Sequence, residues 1–284
     1  MVSVWLTLLA VATWPGTARA ASPPARIVSI NLCAEQILVD LVPRHRIAAV
    51  SHLAADATVS AVAEKAAGLP VTRGEAESVL AFDPDLVLAG AFSTPATVSI
   101  LERVGRRVVR VPQASDLAGV KAVVRMVADA VGESARGERL IADLERRLEE
   151  ARPPSSAGAA PTALVYQVNA LSAGRGTLAD AVLGWAGFRN HAAHIELGAG
   201  NQVPLEMIVA KPPDLLVLTG PAGEYRTVVA ENLRHPALAH AMQGRRSVVI
   251  PWRYWLCGTP HVAEAVALLV RERERLAAPR IGHP

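Results

Sequence analysis

The chain has 284 residues, of which 51% are hydrophobic, with two cysteines and a formal net charge of +3. This composition excludes a disordered or fibrous protein, and the length suffices for two lobes of roughly 100 to 130 residues each. No cluster of Lys and Arg interleaves with aromatic residues, so we expect no nucleic-acid partner.

The first twenty residues are apolar and end in Ala18-Arg19-Ala20, which is typical of a signal peptide cleaved after Ala20. A membrane anchor is the alternative, but Pro15 and Gly16 interrupt the run, and spanning needs roughly 20 apolar residues. No cysteine follows the cleavage site as a point of lipid attachment. We therefore expect a soluble periplasmic protein, exported by a cleavable signal peptide at residues 1–20.

Beyond this segment, short apolar runs alternate with amphipathic stretches, a pattern typical of βα units around a mainly parallel sheet. It predicts an α/β fold with an N-terminal lobe over residues 21–132 and a C-terminal lobe over residues 153–284. The predicted strands are 27–30, 47–50, 85–89 and 107–111 in the first lobe, and 163–168, 214–218 and 247–250 in the second.

Residues 133–152 are predicted to form one long helix that connects the two lobes. Apolar residues between Leu140 and Leu148 recur at helical spacing, with charges on the opposite face, and Pro153 ends the pattern. Because bending a helix is harder than flexing a loop, we expect this connection to restrict large closing movements.

The two halves of the chain share a motif. Residues 77–90 read ESVLAFDPDLVLAG and residues 206–220 read EMIVAKPPDLLVLTG, so that in each half a glutamate lies seven positions before a Pro-Asp pair that opens an apolar strand. A repeat at this distance indicates two lobes built on one plan. Two facing lobes form a cleft, and small ligands commonly bind between domains.

The order of these segments resembles that of the helical-backbone (class III) periplasmic substrate-binding proteins of ABC importers for iron siderophores, haem and cobalamin. RIVSINLCAEQILVDLV resembles that family's opening strand, loop and first helix, and TLADAVLGWAGFRNHA resembles a helix of its second lobe. The resemblance implies two Rossmann-like lobes with parallel-rich sheets joined by one long interdomain helix. It also implies a monomer that delivers a small-molecule chelate to an ABC transporter permease in the inner membrane.

In that family a glutamate on the outer surface of each lobe docks into arginines of the permease. The repeat assigns this role to Glu77 and Glu206. The alternative is that each glutamate only interacts with the dipole of a short helix, in its first turn. Exposed ion pairs contribute roughly 0.2 to 1 kcal/mol each, so docking would mainly set orientation and association rate.

Residues facing the cleft are expected at the carboxyl ends of the strands. In the second lobe this rule selects Trp252, Arg253, Tyr254 and Trp255. The rings offer flat apolar faces for a porphyrin, corrin or catecholate, and the guanidinium can pair with an acidic group. For any single ring, packing in the core is the alternative.

Further candidate ligand-binding residues lie outside this aromatic cluster. Arg73 stands where a cobalamin binder of the family would show an aromatic residue, which favours an anionic cargo such as haem or a carboxylate siderophore. The remaining candidates are Asn31, Cys33, Phe92 and His191.

Cys33 and Cys257 are predicted to lie on loops that face the cleft, one in each lobe. In an oxidising compartment such a pair is expected to form a disulfide, provided that the Cα atoms approach within about 7 Å. Two alternatives stay open: both cysteines remain thiols that contact the cargo, or both only pack.

We expect a binding protein with no catalytic residues, no intrinsic cofactor and no metal site of its own. Its cargo would be a metal chelate, namely a ferric siderophore, haem or corrinoid. The sequence lacks a glycine-rich phosphate loop and the GxSxG and HExxH motifs. One alternative is a zinc- or manganese-binding protein of the same fold, although the eight histidines are scattered. The other is a bilobal metalloenzyme, for which two cysteines are too few to hold a cluster.

Overall fold

The fold is that of a computed structural model, which describes residues 22–91, 93–153, 159–167, 170–195, 197, 201–220 and 234–278. The predicted signal peptide at residues 1–20 and the candidate ligand residue Phe92 lie outside the described residues. Within the described part, no helix combines the length and the apolar character that crossing a membrane requires.

The first lobe is built on a five-stranded parallel sheet with the strand order β3-β2-β1-β4-β5. Its strands are β1 (Ile27–Ser29), β2 (Ile47–Ser51), β3 (Val71–Thr72), β4 (Leu86–Gly90) and β5 (Val108–Val111). Its helices are α1 (Leu32–Leu41), α2 (Ala63–Ala66), α3 (Ala76–Leu80), α4 (Pro95–Arg103) and α5 (Leu117–Val131).

The second lobe repeats this plan on a parallel sheet of four strands in the order β7-β6-β8-β9. Its strands are β6 (Thr162–Tyr166), β7 (Arg189–Asn190), β8 (Leu215–Leu218) and β9 (Arg246–Val249). Its described helices are α7 (Leu178–Trp185), α8 (Leu205–Ala210), α9 (Pro236–Ala241) and α10 (Val262–Ala277).

Helix α6 (Ser134–Glu150) leads from the first sheet to the second, where the sequence predicts the connecting helix. Its apolar face, with Ile141 and Leu144 buried, packs mainly on α5 and also on α10. These residues belong to one hydrophobic cluster that extends through both lobes. The lobes therefore share a core on the side of α6.

Both faces of each sheet are buried, because successive residues of a strand point to opposite faces. In the first lobe Ile27 and Leu86 face the shared core, whereas Val28 and Val87 belong to a smaller cluster on the opposite face. The second sheet is divided in the same way between the shared core and a cluster of its own. This burial explains why the strands read as continuous apolar runs.

The predicted α/β fold of two parallel-sheet lobes is confirmed, and each predicted strand has a counterpart within two residues at either end. Two strands were missed, β3 and β7, at the outer edges of the two sheets. Each has only two residues, which is too short to produce a recognisable periodicity.

The aspartate of the repeated motif has the same structural role in both lobes. Asp85, just before β4, accepts hydrogen bonds from the backbone N–H groups of Ala25 (2.7 Å) and Arg26 (3.1 Å), which precede β1. Asp214, just before β8, accepts from the backbone N–H and the hydroxyl of Thr162, both at 2.8 Å, at the start of β6. Each carboxylate thus joins the beginnings of two neighbouring strands.

We expect Asp85→Ala and Asp214→Ala each to lower the free energy of unfolding by about 1 to 2 kcal/mol, because charge-assisted hydrogen bonds to backbone N–H groups are lost. Equilibrium urea unfolding measures the change. The matched control is Glu64→Ala, which removes an exposed carboxylate of α2 and should change stability by less than about 0.5 kcal/mol. Urea midpoints unchanged in both aspartate variants would contradict this role.

Candidate functional site

One face of α1 is joined to the turn that precedes α10, and this contact, which we call the interlobe seam, links the two lobes. The participating residues of α1 are spaced three and four positions apart, so they lie on one side of the helix. Their partners in the second lobe are every second residue of the turn. The three pairs are Cys33 with Cys257, Gln36 with Thr259 and Asp40 with His261.

The first pair of the seam is a disulfide, with Cα atoms 5.2 Å apart. Next to it the buried Thr259 hydroxyl donates to the Gln36 side-chain oxygen at 3.4 Å. Gly258 lies against the first lobe, since a Cβ atom at this position would be 2.5 Å from the Cβ of Ala114. The absence of a side chain allows the turn to approach this closely.

The third pair is ionic: His261 Nε2 lies 3.3 Å from Asp40 Oδ2. Burial by itself would lower the pKa of His261, but hydrogen bonding and charge attraction to Asp40 and Glu264 raise it to about 9. Glu264 also pairs with Arg147 of α6 at 2.9 Å. His261 is therefore a cation that connects α1 with the start of α10, and through Glu264 with α6.

A cavity of about 300 Å³ lies beside the seam, between the two lobes. Residues at the carboxyl ends of four strands of the first sheet form most of its wall, and Leu256 and Cys257 contribute from the second lobe. The lining is mostly apolar, with Leu32, Leu53 and Val111 among its members. Its polar side chains are those of Asn31, Ser51, Ser93 and Gln113.

Asn31 is held in the wall of this cavity by its local structure. Its side-chain oxygen accepts a hydrogen bond from the Ala34 N–H at 2.9 Å and so caps the N-terminus of α1. Gly90 at the end of β4 makes room for it, because a Cβ atom there would lie 1.9 Å from Asn31 Nδ2. The predicted ligand-binding residues Asn31 and Cys33 both line the cavity.

The aromatic cluster of the second lobe forms a turn whose residues differ in burial: Trp255 is buried, whereas Trp252, Arg253 and Tyr254 are half-buried. Trp255 is 4% exposed and belongs to the shared core, and Trp252 and Tyr254 pack against that core. Core packing therefore accounts for Trp255, whose large apolar surface stabilises the fold when it is buried, whereas a cargo contact of the half-buried Trp252 and Tyr254 stays a prediction.

Arg253 is likewise occupied by contacts within the protein. Its guanidinium donates to the backbone carbonyl of Ala57 in the first lobe at 3.0 Å and to the Tyr254 hydroxyl at 3.2 Å. It also lies 4.8 Å from the centre of the Tyr254 ring. These contacts make Arg253 a further link between the lobes, and its pairing with an acidic group of the cargo stays a prediction.

Two other candidates lie away from the cavity. Arg73 is exposed in the connection between β3 and α3. His191 is 2% exposed in the second lobe, and burial lowers its pKa below the usual value, which favours a neutral ring. His191 is not among the residues that line the cavity, and its contact with a cargo stays a prediction.

Glu77 and Glu206 occupy equivalent positions in the two lobes. Each is the second residue of a short helix, α3 and α8 respectively, and each side chain is exposed. Among the described residues neither carboxylate has a hydrogen-bonding or ion-pairing partner, and neither caps its helix. Both are thus accessible to another molecule.

The model of the periplasmic binding protein family matches residues 27–251. The chain belongs to this family. Among curated proteins it is similar to a cobalamin-binding protein of Halobacterium salinarum (strain ATCC 29341 / DSM 671 / R1), with 26% identity over 219 residues. That match covers 76% of this chain and 59% of the relative, so the chain spans little more than half the length of this relative.

Solved structures share the fold over nearly the whole chain. The periplasmic heme-binding protein RhuT from Roseiflexus sp. RS-1, in its apo form, is 24% identical with a TM-score of 0.71, covering 89% of this chain and 99% of that one. The periplasmic vitamin B12-binding protein BtuF of Vibrio cholerae is 17% identical with a TM-score of 0.68, covering 90% and 98%. These likenesses confirm the two-lobed α/β architecture.

Several residues that line the cavity or form the seam were not predicted from the sequence. The rule that strand ends face the cleft, applied to β2 and β5, would have identified Ser51 and Gln113 as cleft residues. Gln36 and Asp40 lie on the same helix face as Cys33, a signal that could have marked them as interface residues. In the described part of the chain, no group of three or more His, Cys, Asp or Glu residues could hold a metal ion.

We expect the stability of the protein to decrease as the pH rises from about 7 to 9.5. The folded-state pKa of His261, about 9, lies above its ordinary value of 6.5. The stabilisation by the charged form is therefore complete below the ordinary value and is lost as the pH passes through about 9. The difference between these two pKa values corresponds to on the order of 3 kcal/mol in the free energy of unfolding.

Urea unfolding of the wild type and of His261→Gln at the two pH values measures this contribution. The variant should be less stable at pH 7 and should show a smaller decrease toward pH 9.5. His45→Gln, which alters an exposed histidine of the first lobe, serves as the control. Parallel pH dependences of the wild type and His261→Gln would rule out the ionic seam contact.

Proposed function

We propose that this protein is the periplasmic substrate-binding protein of an ABC importer. It catalyses no reaction; it captures a metal chelate in the cleft between its lobes and delivers it to the permease. The observation that carries this proposal is a mostly apolar cavity at the carboxyl ends of four parallel strands, closed by the second lobe, in a chain of the periplasmic binding protein family. Cavities at this position of α/β folds are typical ligand sites.

Among metal chelates, the lining favours a neutral one with amide side chains, such as a corrinoid. None of the described residues that line the cavity is ionisable, because Cys33 and Cys257 are joined in a disulfide. Apolar side chains such as Leu32 and Leu256 can contact a macrocycle, while Asn31 and Gln113 can hydrogen-bond carboxamides. A relative of the chain is named a cobalamin-binding protein, which agrees with this choice.

The cavity volume indicates how such a cargo lies in the cleft. About 300 Å³ is at the lower end of the range for small-molecule pockets. A space of this size receives one edge of a flat macrocycle, and the rest lies toward the mouth of the cleft. Leu53, which is 36% exposed at the cavity wall, is available to contact that outer part.

Delivery requires that the protein orient itself on the permease, and we assign this function to Glu77 and Glu206. Their equivalent positions in two similar lobes suit a permease with two similar halves, on which two carboxylates can each meet a cationic group. Because exposed ion pairs add little affinity, the pair would set orientation and the rate of encounter.

We expect the mature protein, residues 21–284, to bind a corrinoid such as cyanocobalamin or cobinamide saturably, as measured by quenching of its tryptophan fluorescence. The Kd for the corrinoid should be lower than the Kd for haem or ferric siderophores. Leu256→Arg should weaken binding at least tenfold, because it places a charge and extra volume in an apolar wall. Val104→Arg, at a site 53% exposed and outside the cavity, is the matched control. Failure of every one of these chelates to bind would sink the proposed function.

Charge reversal at both docking positions, Glu77→Arg with Glu206→Arg, should abolish most cargo uptake in vesicles containing the permease and leave the cargo Kd unchanged. Glu274→Arg reverses another exposed glutamate, on α10, and should leave uptake intact. Retained uptake in the double variant, or a loss of cargo binding, would refute the docking role.

A further inference from the structure

Glu35 is a buried carboxyl group directly behind the cleft wall. Its side chain is 0% exposed, on α1 between two seam residues. The Ser51 backbone N–H donates to Glu35 Oε1 at 2.9 Å, and the Ser51 hydroxyl donates to Oε2 at 2.8 Å. Ser51, at the end of β2, lines the cavity. One buried carboxyl group therefore holds a polar group of the cleft wall from behind.

The surroundings of Glu35 are polar but uncharged. Burial raises its pKa to about 7, because the loss of hydration outweighs the hydrogen bonds from Ser51, Ser29 and the backbone of Asn31. Near neutral pH the group therefore exists in both protonation states. Among the described residues no cation pairs with it.

The charged groups on the elements packed against α1 are directed elsewhere. Strands β1, β2 and β4 carry no ionisable side chain, and the 3-10 turn His52–Ala55 carries only the exposed His52. On α1 itself, Asp40 is paired with Lys65 and His261. The ionisable residues of α5 have their own partners: Lys121 with Glu145, Arg125 with Glu138, and Asp129 with Ser134.

We propose that the protonation state of Glu35 decides whether the Ser51 hydroxyl accepts or donates a hydrogen bond in the cleft, and thereby tunes the affinity for cargo. An ionised carboxylate only accepts, so the Ser51 hydroxyl donates its hydrogen bond to Glu35, and the Ser51 oxygen is left as an acceptor in the cleft. This inference rests on the proposed function in that cargo occupies the cavity.

A proton taken from solvent reverses the direction of this hydrogen bond. One oxygen of the neutral carboxyl still accepts from the Ser51 N–H, while the other carries the proton and donates to the Ser51 oxygen. The hydroxyl hydrogen of Ser51 can then turn into the cleft. No heavy atom has to move, and a cargo whose edge groups accept hydrogen bonds gains one partner.

The coupling can be tested without any cargo by following the backbone amide resonance of Ser51 by NMR. In the wild type this signal should titrate with a midpoint near 7, the pKa of Glu35. It should not titrate in Glu35→Gln, whose amide keeps the shape of a neutral carboxyl group. Glu64→Gln, on the exposed surface of α2, should leave the titration unchanged. No Ser51 titration in the wild type between about pH 5.5 and 8.5 overturns the inference.

The consequence for cargo is tested with dicyano heptamethyl cobyrinate, a neutral corrin whose ester side chains accept but do not donate hydrogen bonds. The wild type should bind it about three- to tenfold more tightly at about pH 6 than at about pH 8. Glu35→Gln should match the tighter wild-type Kd at both pH values, because its amide can donate to Ser51. Ser51→Ala should match the weaker Kd at both.

The two variants therefore remove the pH dependence with opposite effects on affinity, which loss of structure would not produce. A pH dependence that persists in Glu35→Gln contradicts the inference. If Ser51 titrates as expected but neither this ester nor any of cyanocobalamin, cobinamide, haem and the ferric siderophores binds, the proposed function is contradicted, and the control of the Ser51 hydroxyl by Glu35 stands on the NMR result.

Discussion

The interlobe seam is the constraint on which the cleft depends. The shared core and α6 join the lobes on one side, while the seam adds a disulfide, a buried hydrogen bond and an ion pair. Because Cys33 and Cys257 belong both to the seam and to the cavity wall, the contact that fixes the lobes also shapes the site. A cleft held in this way is largely preformed, so the free energy of cargo binding is not reduced by the cost of ordering a flexible cleft.

The two lobes share a plan but differ where they meet the cargo. The Pro-Asp pair joins neighbouring strands in both, and the glutamate seven positions earlier lies in the second position of a short helix in both. The strand ends differ, with Gly90-Ala91 in the first lobe and Thr219-Gly220 in the second. Gly90 is needed in the first lobe because the Asn31 side chain occupies the space of its missing Cβ.

Sequence patterns were sufficient for the fold and for part of the site. Apolar runs identified the longer strands, because these are buried on both faces, and the strand-end rule placed Asn31 and Cys33 at the cavity. The same patterns left two roles open for Trp255, because an apolar ring after a strand suits a core as well as a ligand. The burial of Trp255 in the shared core is a property of the tertiary structure, which local patterns do not reveal.

Long-range contacts account for the rest of what the sequence did not reveal. The pairing of Gln36 with Thr259 and of Asp40 with His261 joins residues more than two hundred positions apart, and no local periodicity marks such pairs. Glu35 is a polar residue among several on α1, and its contact with Ser51 depends on how α1 packs on the sheet. The chemistry of the cleft wall is thus set by tertiary structure.

Hydrogen exchange measured by mass spectrometry, with and without saturating corrinoid, tests the location of the site most directly. The account predicts that cargo increases protection around residues 30–33, 51–53, 111–113 and 256–257, where both lobes line the cavity. Around His191 and Arg73, which lie away from the cavity, protection should stay unchanged. Increased protection at those two residues, with none at the three strand ends and the seam turn, would contradict a cargo site beside the interlobe seam.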